Sequence, residues 1–327
     1  MDYRVLGRTG LGVSLLGFGC GNVGGLMIRG APADRERAVA RAIEHGINYF
    51  DTAPSYGDGQ SETNLGAVLR SLRARVYVGT KFRLPATDPK DAAGAIAQSL
   101  EASLARLGRD GVDLFQLHDH ITARRGDAGL RAADVLERVV PALEKLREQG
   151  KTRFYGITAL GDTDALHEVI GSGRLHTAQV CYNLLNPSAG MEVPAGSPAQ
   201  DFQRLIGRAH ARGLGVIVIR VMAAGALSGT AARHPIAVPS VEPIATGPSY
   251  AADVRRAQTL HPLVEEGHAA SLAEASLRFA IGHPDVSTVL LGYSDLKQLE
   301  DAVAAVTRGP LSPAALQRLA MLAGQRS

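Results

Sequence analysis

Eight short runs of β-branched and other apolar residues, each trailed by a helical pattern, constrain the fold of this chain more than any other feature. They fall at 13–17, 48–50, 76–79, 112–117, 153–157, 178–181, 215–219 and 287–291. Strands separated by helices rejoin the same sheet only through a crossover, so the repeat predicts parallel βαβ units. Eight such units in one chain favour closure into a (β/α)8 TIM barrel, an α/β fold, over an open doubly wound sheet. The open alternative also lacks its main signal, because no G-x-G-x-x-G follows a strand as a helix opens. At 327 residues the chain suits one such barrel, spanning 1–327 as a single domain with room for long loops.

The intervening helices carry their own punctuation. Residues 34–45 place Ala38, Val39, Ala42 and Ile43 on one stripe behind Asp34, an N-cap candidate. Residues 91–107 repeat the pattern with Ile96, Leu100, Leu104 and Leu107, and stop at Gly108. Pro141 suits a first turn, which predicts a helix over 141–149 ending at Gly150. Ser271 and Glu274 have capping-box spacing, and Leu296, Leu299, Val303 and Val306 line the last barrel helix. Residues 3–6, a Gly-Arg-Thr-Gly turn and residues 11–13 read as an N-terminal β-hairpin ahead of the first strand. The stretches 22–30, 119–132 and 221–250 read as βα loops over the C-terminal face, where barrels carry their sites.

Composition removes several classes of function. Lys and Arg number 35 against 32 Asp and Glu, a formal charge of +3, and the pairs Arg124-Arg125 and Arg255-Arg256 are too short to make a nucleic-acid footprint. The longest charge-free stretch, 13–28, is glycine-rich and too short to span a bilayer. The two cysteines, Cys20 and Cys181, lie far apart, outside any disulfide or zinc spacing, and read as buried small hydrophobes. With no cleavable leader pattern, the expectation is a cytoplasmic protein with a small-molecule partner, no nucleic acid and no membrane. Oligomeric state leaves no mark on the sequence.

The strand ends supply candidate chemistry. Strand two ends at Asp51, strand three at Lys81 and strand four at His118, and Tyr56 follows five residues after Asp51. Tyrosine, with an ordinary pKa of about 10, exchanges a proton with a carbonyl or alcohol oxygen when a cation stabilises its phenolate. Lys81 supplies that cation and is expected to lower the Tyr56 pKa; Asp51 keeps Lys81 charged and aimed, and His118 orients the substrate oxygen. His118 and His120 share a strand face around Asp119, but a third metal ligand would have to be Asp51, which Lys81 needs, so no metal is expected. Gly17, Gly19 and Gly21 lack the lysine of a phosphate loop and read as close backbone packing under the site.

These residues carry a resemblance. Phe-Asp-Thr-Ala-Pro-Ser-Tyr-Gly at 50–57 resembles the first signature of the aldo-keto reductases, and Gly-Thr-Lys at 79–81 and Asp-Leu-Phe-Gln-Leu-His at 113–118 resemble the other two tetrad segments. Residues 6–10, 150–158 and 179–183 match in order and spacing too, so the resemblance covers nearly the whole chain. It implies a (β/α)8 barrel, hydride transfer with NAD or NADP, and Tyr56, Asp51, Lys81 and His118 as catalytic residues acting on a small carbonyl or sugar. Segments 117–119, 141–146, 156–158 and 289–292 resemble the L-galactose and related aldose dehydrogenases, which implies oxidation of an aldose at C1 to the lactone. The alternatives are a generic NADPH-dependent aldehyde or ketone reductase, and a low-turnover cofactor-binding regulatory subunit.

The resemblance also assigns cofactor contacts. Thr158 stands where many members use serine on the nicotinamide carboxamide, with Gln179 as second amide partner, while Ala159 replaces the usual asparagine. Ile219 stands in place of a stacking tyrosine, in the run Ile219, Arg220, Val221, Met222 to Gly225 and Leu227 that replaces Tyr-Ser-Pro-Leu. Gly292, Ser294, Gln298 and Asp301 mark the adenine side. Gln298 stands where NADPH-preferring relatives often place arginine, and Asp295 opposes a phosphate unless it caps a helix, so NAD is favoured over NADP although Lys297 offers a nearby cation.

Overall fold

In the computed structural model, which describes residues 1–84, 91–123, 129–194 and 196–324, eight parallel strands close into a barrel. They are β1 (Leu16–Gly19), β2 (Tyr49–Asp51), β3 (Tyr77–Phe82), β4 (Val112–Leu117), β5 (Thr152–Thr158), β6 (Thr177–Cys181), β7 (Gly215–Ile219) and β8 (Thr288–Gly292). Each pairs with the next in sequence, and β8 closes onto β1 with Leu290 opposite Gly17 and Gly292 opposite Gly19. The sequence runs were continuous rather than alternating because most strand residues are buried on both faces, as in all six of β4.

Helices α1 (Pro32–Glu44), α2 (Gln60–Ser71), α3 (Ala92–Leu107), α4 (Ala132–Asp134 continuing through Val135–Val139 and Val140–Glu148), α5 (Thr163–Gly171), α6 (Leu205–Ala211), α7 (Leu272–Ile281) and α8 (Leu296–Thr307) form the outer ring. The caps of α3 and α7 match the sequence signals: Asp91 accepts from Gly94 N and Ser271 from Glu274 N. Three expectations need correction. Helix α1 begins two residues before Asp34, because Pro32 opens its first turn and Ala31 takes the cap position. The α-helical segment expected over 141–149 is present as Val140–Glu148 with Pro141 in its first turn, but a π-turn over Val135–Val139 joins it to Ala132–Asp134, so α4 as a whole begins nine residues before the proline. Strand β1 starts at Leu16, because residues 12–14 belong to the hairpin.

That hairpin, Tyr3–Val5 against Gly12–Ser14, plugs the N-terminal mouth of the barrel. Its Leu6, Leu11 and Val13 pack inside against Tyr49, Leu114, Ile217 and Leu290. The turn approaches β7 so closely that a Cβ on Gly7 would lie 2.2 Å from the Gly215 nitrogen, which leaves glycine as the residue that fits. At the opposite mouth the segment after β7 forms a strap. Arg220 donates to Glu242 O (3.0 Å), Arg233 to Val238 O (2.6 Å), and Arg29 from the loop after β1 to Ile236 O (2.6 Å). His234 lies 3.4 Å from Asp295 at the start of α8. The strap thus crosses from β7 past the end of β8 to β1. The expected 119–132 loop is described only in part, and Arg124 and Arg125 lie outside the described residues.

Candidate active site

Four side chains meet at the C-terminal mouth because their strands stop there. Asp51 ends β2; Lys81 sits one residue before the end of β3, which runs on to Phe82; His118 follows β4, its N–H bonded to Phe82 O (2.8 Å). Tyr56 stands in the loop after β2, which Asn22, just after the neighbouring β1, holds by accepting from Gly57 N (3.0 Å) and donating to Ser55 O (3.3 Å). The Lys81 ammonium is buried and spends its three protons on Asp51 Oδ1, Thr52 O (2.8 Å) and the Tyr56 hydroxyl (3.2 Å). The ring of His118 stands edge-on to that of Tyr56, with centroids 5.9 Å apart.

The electrostatics follow from this burial. Burial disfavours the Lys81 charge, but Asp51 and Tyr56 outweigh it and hold its pKa above the ordinary lysine value. Burial, then Lys81, Arg83 and His120, push His118 down to about 2, so its imidazole is neutral and offers one N–H. Tyr56 corrects the sequence reading. Lys81 does pull its pKa down, but burial, the largest effect, and the charge of Asp51 leave it raised above the ordinary phenol value. Burial likewise pushes the Cys20 thiol up and Cys181 up to about 12, so both cysteines are neutral packing groups.

On the other side of the mouth, Thr158 Oγ donates to Gln179 Oε1 (3.2 Å), and Gln179 Nε2 donates to Asp51 Oδ2 (2.7 Å). The hydroxyl oxygen and Oε1 each keep a lone pair, so both residues fit a primary carboxamide while tied to the tetrad. Ile219 is half-buried at the end of β7, facing the barrel interior above Ile217, and Met222 and Gly225 follow in a turn where Arg220, Ala223 and Ala224 hold φ values of 58°, 46° and 59°. Non-glycine residues in that region store strain, a common property of ligand clamps. Leu227 is fully buried in the hydrophobic core. Gly292 is exposed where β8 ends, and Ser294 is buried with its hydroxyl on Gly24 O (2.8 Å).

At the start of α8 the caps consume the polar groups. Asp295 accepts from Gln298 N (2.8 Å), and Gln298 Oε1 accepts from Ser294 N (2.8 Å), which leaves the Gln298 amide NH2 as a donor. Lys297 pairs with Asp301 (2.5 Å) on the exposed face of α8, so neither joins the others at the mouth. Asp119 accepts from Leu84 N (2.8 Å), and His120 is exposed.

Two residues that build the site escaped the sequence reading. Asn22 clamps the Tyr56 loop, and Tyr49, fully buried, donates to Asp51 Oδ2 (3.0 Å). The two-residue spacing of Tyr49 and Asp51 on one strand, which puts them on one face, was the available signal.

Comparison with known proteins is consistent with this geometry. The sequence pattern of the aldo/keto reductase family matches residues 15–323. L-galactose dehydrogenase of Arabidopsis thaliana is 30% identical over 316 residues, 94% of this chain and 88% of that protein. D-threo-aldose 1-dehydrogenase of a Pseudomonas species is 35% identical over 213 residues, 57% of this chain and 62% of its own. The holo form of an aldo-keto reductase from Bacillus halodurans superposes with a TM-score of 0.73 at 25% identity, covering 98% of this chain and 96% of the other.

Proposed function

The chain belongs to the aldo/keto reductase family and is an NAD(P)-dependent oxidoreductase, and on that premise we propose that Tyr56, Lys81, Asp51 and His118 oxidise an aldose at its anomeric carbon to the lactone. The observation that carries this reading is the hydrogen-bonded line from Tyr56 through Lys81 to Asp51, facing a neutral His118. Thr158 and Gln179 would hold the carboxamide of the nicotinamide, with Ile219 against its ring and Arg220, Met222, Gly225, Gly292, Ser294 and Gln298 along the rest of the dinucleotide. A bound nicotinamide supplies hydride chemistry. Tyr56 takes the proton of the anomeric hydroxyl, and Lys81 balances the phenolate charge that results. His118 donates its single N–H to the same oxygen and fixes the angle at which the C1 hydrogen faces the ring. Reduction of a carbonyl uses these contacts in reverse, with Tyr56 as the acid. The aldose reading draws on the likeness to L-galactose dehydrogenase and D-threo-aldose 1-dehydrogenase. The preference for NAD draws on the absence of a free cation at the start of α8 among the described residues there, where Lys297 is paired and Asp295 adds a negative charge.

The test is a panel of aldoses, aldehydes and ketones followed at 340 nm with each cofactor in each direction. Oxidation of L-galactose, L-fucose or a related aldose should gain in kcat/KM as pH rises towards the raised Tyr56 pKa, while carbonyl reduction stays level below that pKa and falls as pH passes through it. Ready reduction of aldehydes with NADPH and no aldose oxidation at alkaline pH would leave only the generic reductase. Binding of cofactor with no turnover of any substrate would leave only the regulatory subunit.

A further inference from the structure

Beneath the four residues at the mouth lies a buried tyrosine that touches neither substrate space nor solvent. Tyr49 has no exposed surface, and its ring packs among Leu6, Leu11, Val13, Leu114, Ile217 and Leu290, between the hairpin plug and the mouth. Its hydroxyl donates to Asp51 Oδ2 at 3.0 Å. Room for the ring is made on both flanking strands. A Cβ on Gly79 of β3 would lie 2.7 Å from the Tyr49 hydroxyl, and one on Gly17 of β1 would lie 3.3 Å from the ring. Gly79 thus leaves room for the hydroxyl that points at one carboxylate, while Gly17 leaves room for the ring and, more tightly, for Leu290 at 2.8 Å.

That carboxylate is held on all sides. Lys81 occupies Oδ1, while Tyr49 and Gln179 share Oδ2. The charge that reaches Tyr56 is the balance between the Lys81 ammonium and this carboxylate. We propose that Tyr49 is a positioning residue for the proton donor: its hydroxyl anchors the Asp51 carboxylate, shares its negative charge, and so sets the pH range in which Tyr56 gives up or takes a proton. The inference rests on the reading of Tyr56 as that donor. Without the hydroxyl, Oδ2 keeps Gln179 alone, and the carboxylate draws harder on the Lys81 ammonium. Less positive charge is then left for the Tyr56 phenolate, which becomes harder to form.

The other groups acting on Tyr56 are constant across the relevant range. They are Cys20 after β1, held neutral by burial; His118 after β4, neutral; and Arg220 after β7, whose charge acts on Tyr56 although burial lowers its own pKa. Tyr49 itself does not ionise there, because burial and then Asp51 raise its pKa well above that of a free phenol. A pH limb that moves on altering Tyr49 therefore reports the carboxylate it holds.

The experiment compares wild type, Tyr49→Phe and Tyr56→Phe, with pH profiles of 4-nitrobenzaldehyde reduction by NADPH and NADH and of oxidation of the corresponding alcohol. Tyr49→Phe removes one oxygen and keeps the packed ring. Its falling limb in reduction and rising limb in oxidation should both move to a pKa about 0.5–1 higher, so oxidation at a fixed pH on the limb drops ~3- to 10-fold. The dissociation constant for either reduced cofactor, read from nicotinamide emission, should stay within about twofold, since Gln179 keeps its own bond to Asp51 Oδ2 and to Thr158 when the Tyr49 hydroxyl is removed. Limbs that superimpose on wild type would overturn the inference, as would a loss equal at every pH. An active Tyr56→Phe enzyme would instead overturn the donor assignment on which it rests. An inert Tyr56→Phe beside an unmoved Tyr49→Phe profile would overturn this inference alone.

Discussion

Replacing Tyr56 by phenylalanine should cost nearly the full worth of a general acid, because neither described neighbour at the mouth, His118 or Lys81, can take over its role. His118 is the nearest ring, but its pKa is pushed down to about 2. Its imidazole is neutral near pH 7 and has no imidazolium proton to give. Lys81 is held above its ordinary value by Asp51 and Tyr56, which makes it a reluctant acid, and two of its three protons are committed to Asp51 and Thr52 O. A positioned general acid contributes ~10²–10⁴ in rate, and with both substitutes closed the loss should fall in the upper half, ~10³–10⁴, or about 4–5.5 kcal/mol of barrier. The fold should be untouched, since the Lys81 ammonium keeps its two stronger partners. The assay is kcat at 340 nm beside cofactor titration, and because the chain has no tryptophan, binding is read from the emission of NADH or NADPH itself. A mutant keeping more than about a tenth of wild-type kcat, with cofactor affinity unchanged, would refute the reasoning.

Two further outcomes follow from the same geometry. Gln298→Arg should shift preference towards NADP by about 1.5–3 kcal/mol, the worth of a charged hydrogen bond, less what is lost with the contact to Ser294 N; parallel titration with both reduced dinucleotides measures it, and a wild type binding NADPH a hundredfold more tightly than NADH would contradict the premise. Burial, then Arg147, push His176 down to about 4, so stability is present above the unfolded value of about 6.5 and drains as pH falls from 6.5 to 4, by up to about 3 kcal/mol; His176→Gln should flatten that slope in urea melts, and equal slopes would count against it.

Much of the barrel was legible because its periodicity was unambiguous: strands buried on both faces stood out from helices with clear stops such as Gly108 and caps such as Ser271. The meeting of Asp51, Lys81 and His118 was legible for a topological reason, since residues at the ends of neighbouring parallel strands must share a rim. What stayed hidden depended on contacts across the fold. Pro141 spoke for a helix start because its local rules are strong, and only the π-turn beside it reconciles the proline with a longer α4. Asn22 gave no local sign that it would bridge to the Tyr56 loop. The Tyr56 pKa went astray because a sequence shows that a lysine is near and does not show how deeply the pair is buried.

The order of these residues along the chain has a further consequence. The residues proposed to handle the proton, from Asp51 to His118, come from the first four strands and the loops after them, and those proposed to hold the nicotinamide, from Thr158 onward, come from the last four. The two half-barrels meet where Gln179 reaches across the lumen to Asp51. Such a division of labour separates two kinds of heritable change. Drift in the second half that spares Arg220, whose charge acts on Tyr56, can alter the dinucleotide contacts while proton transfer stays as it was. Drift in the strap and loops above can admit new substrates without disturbing either half. The bond between Gln179 and Asp51 ties the two halves together directly, so a change at either residue is felt on both sides.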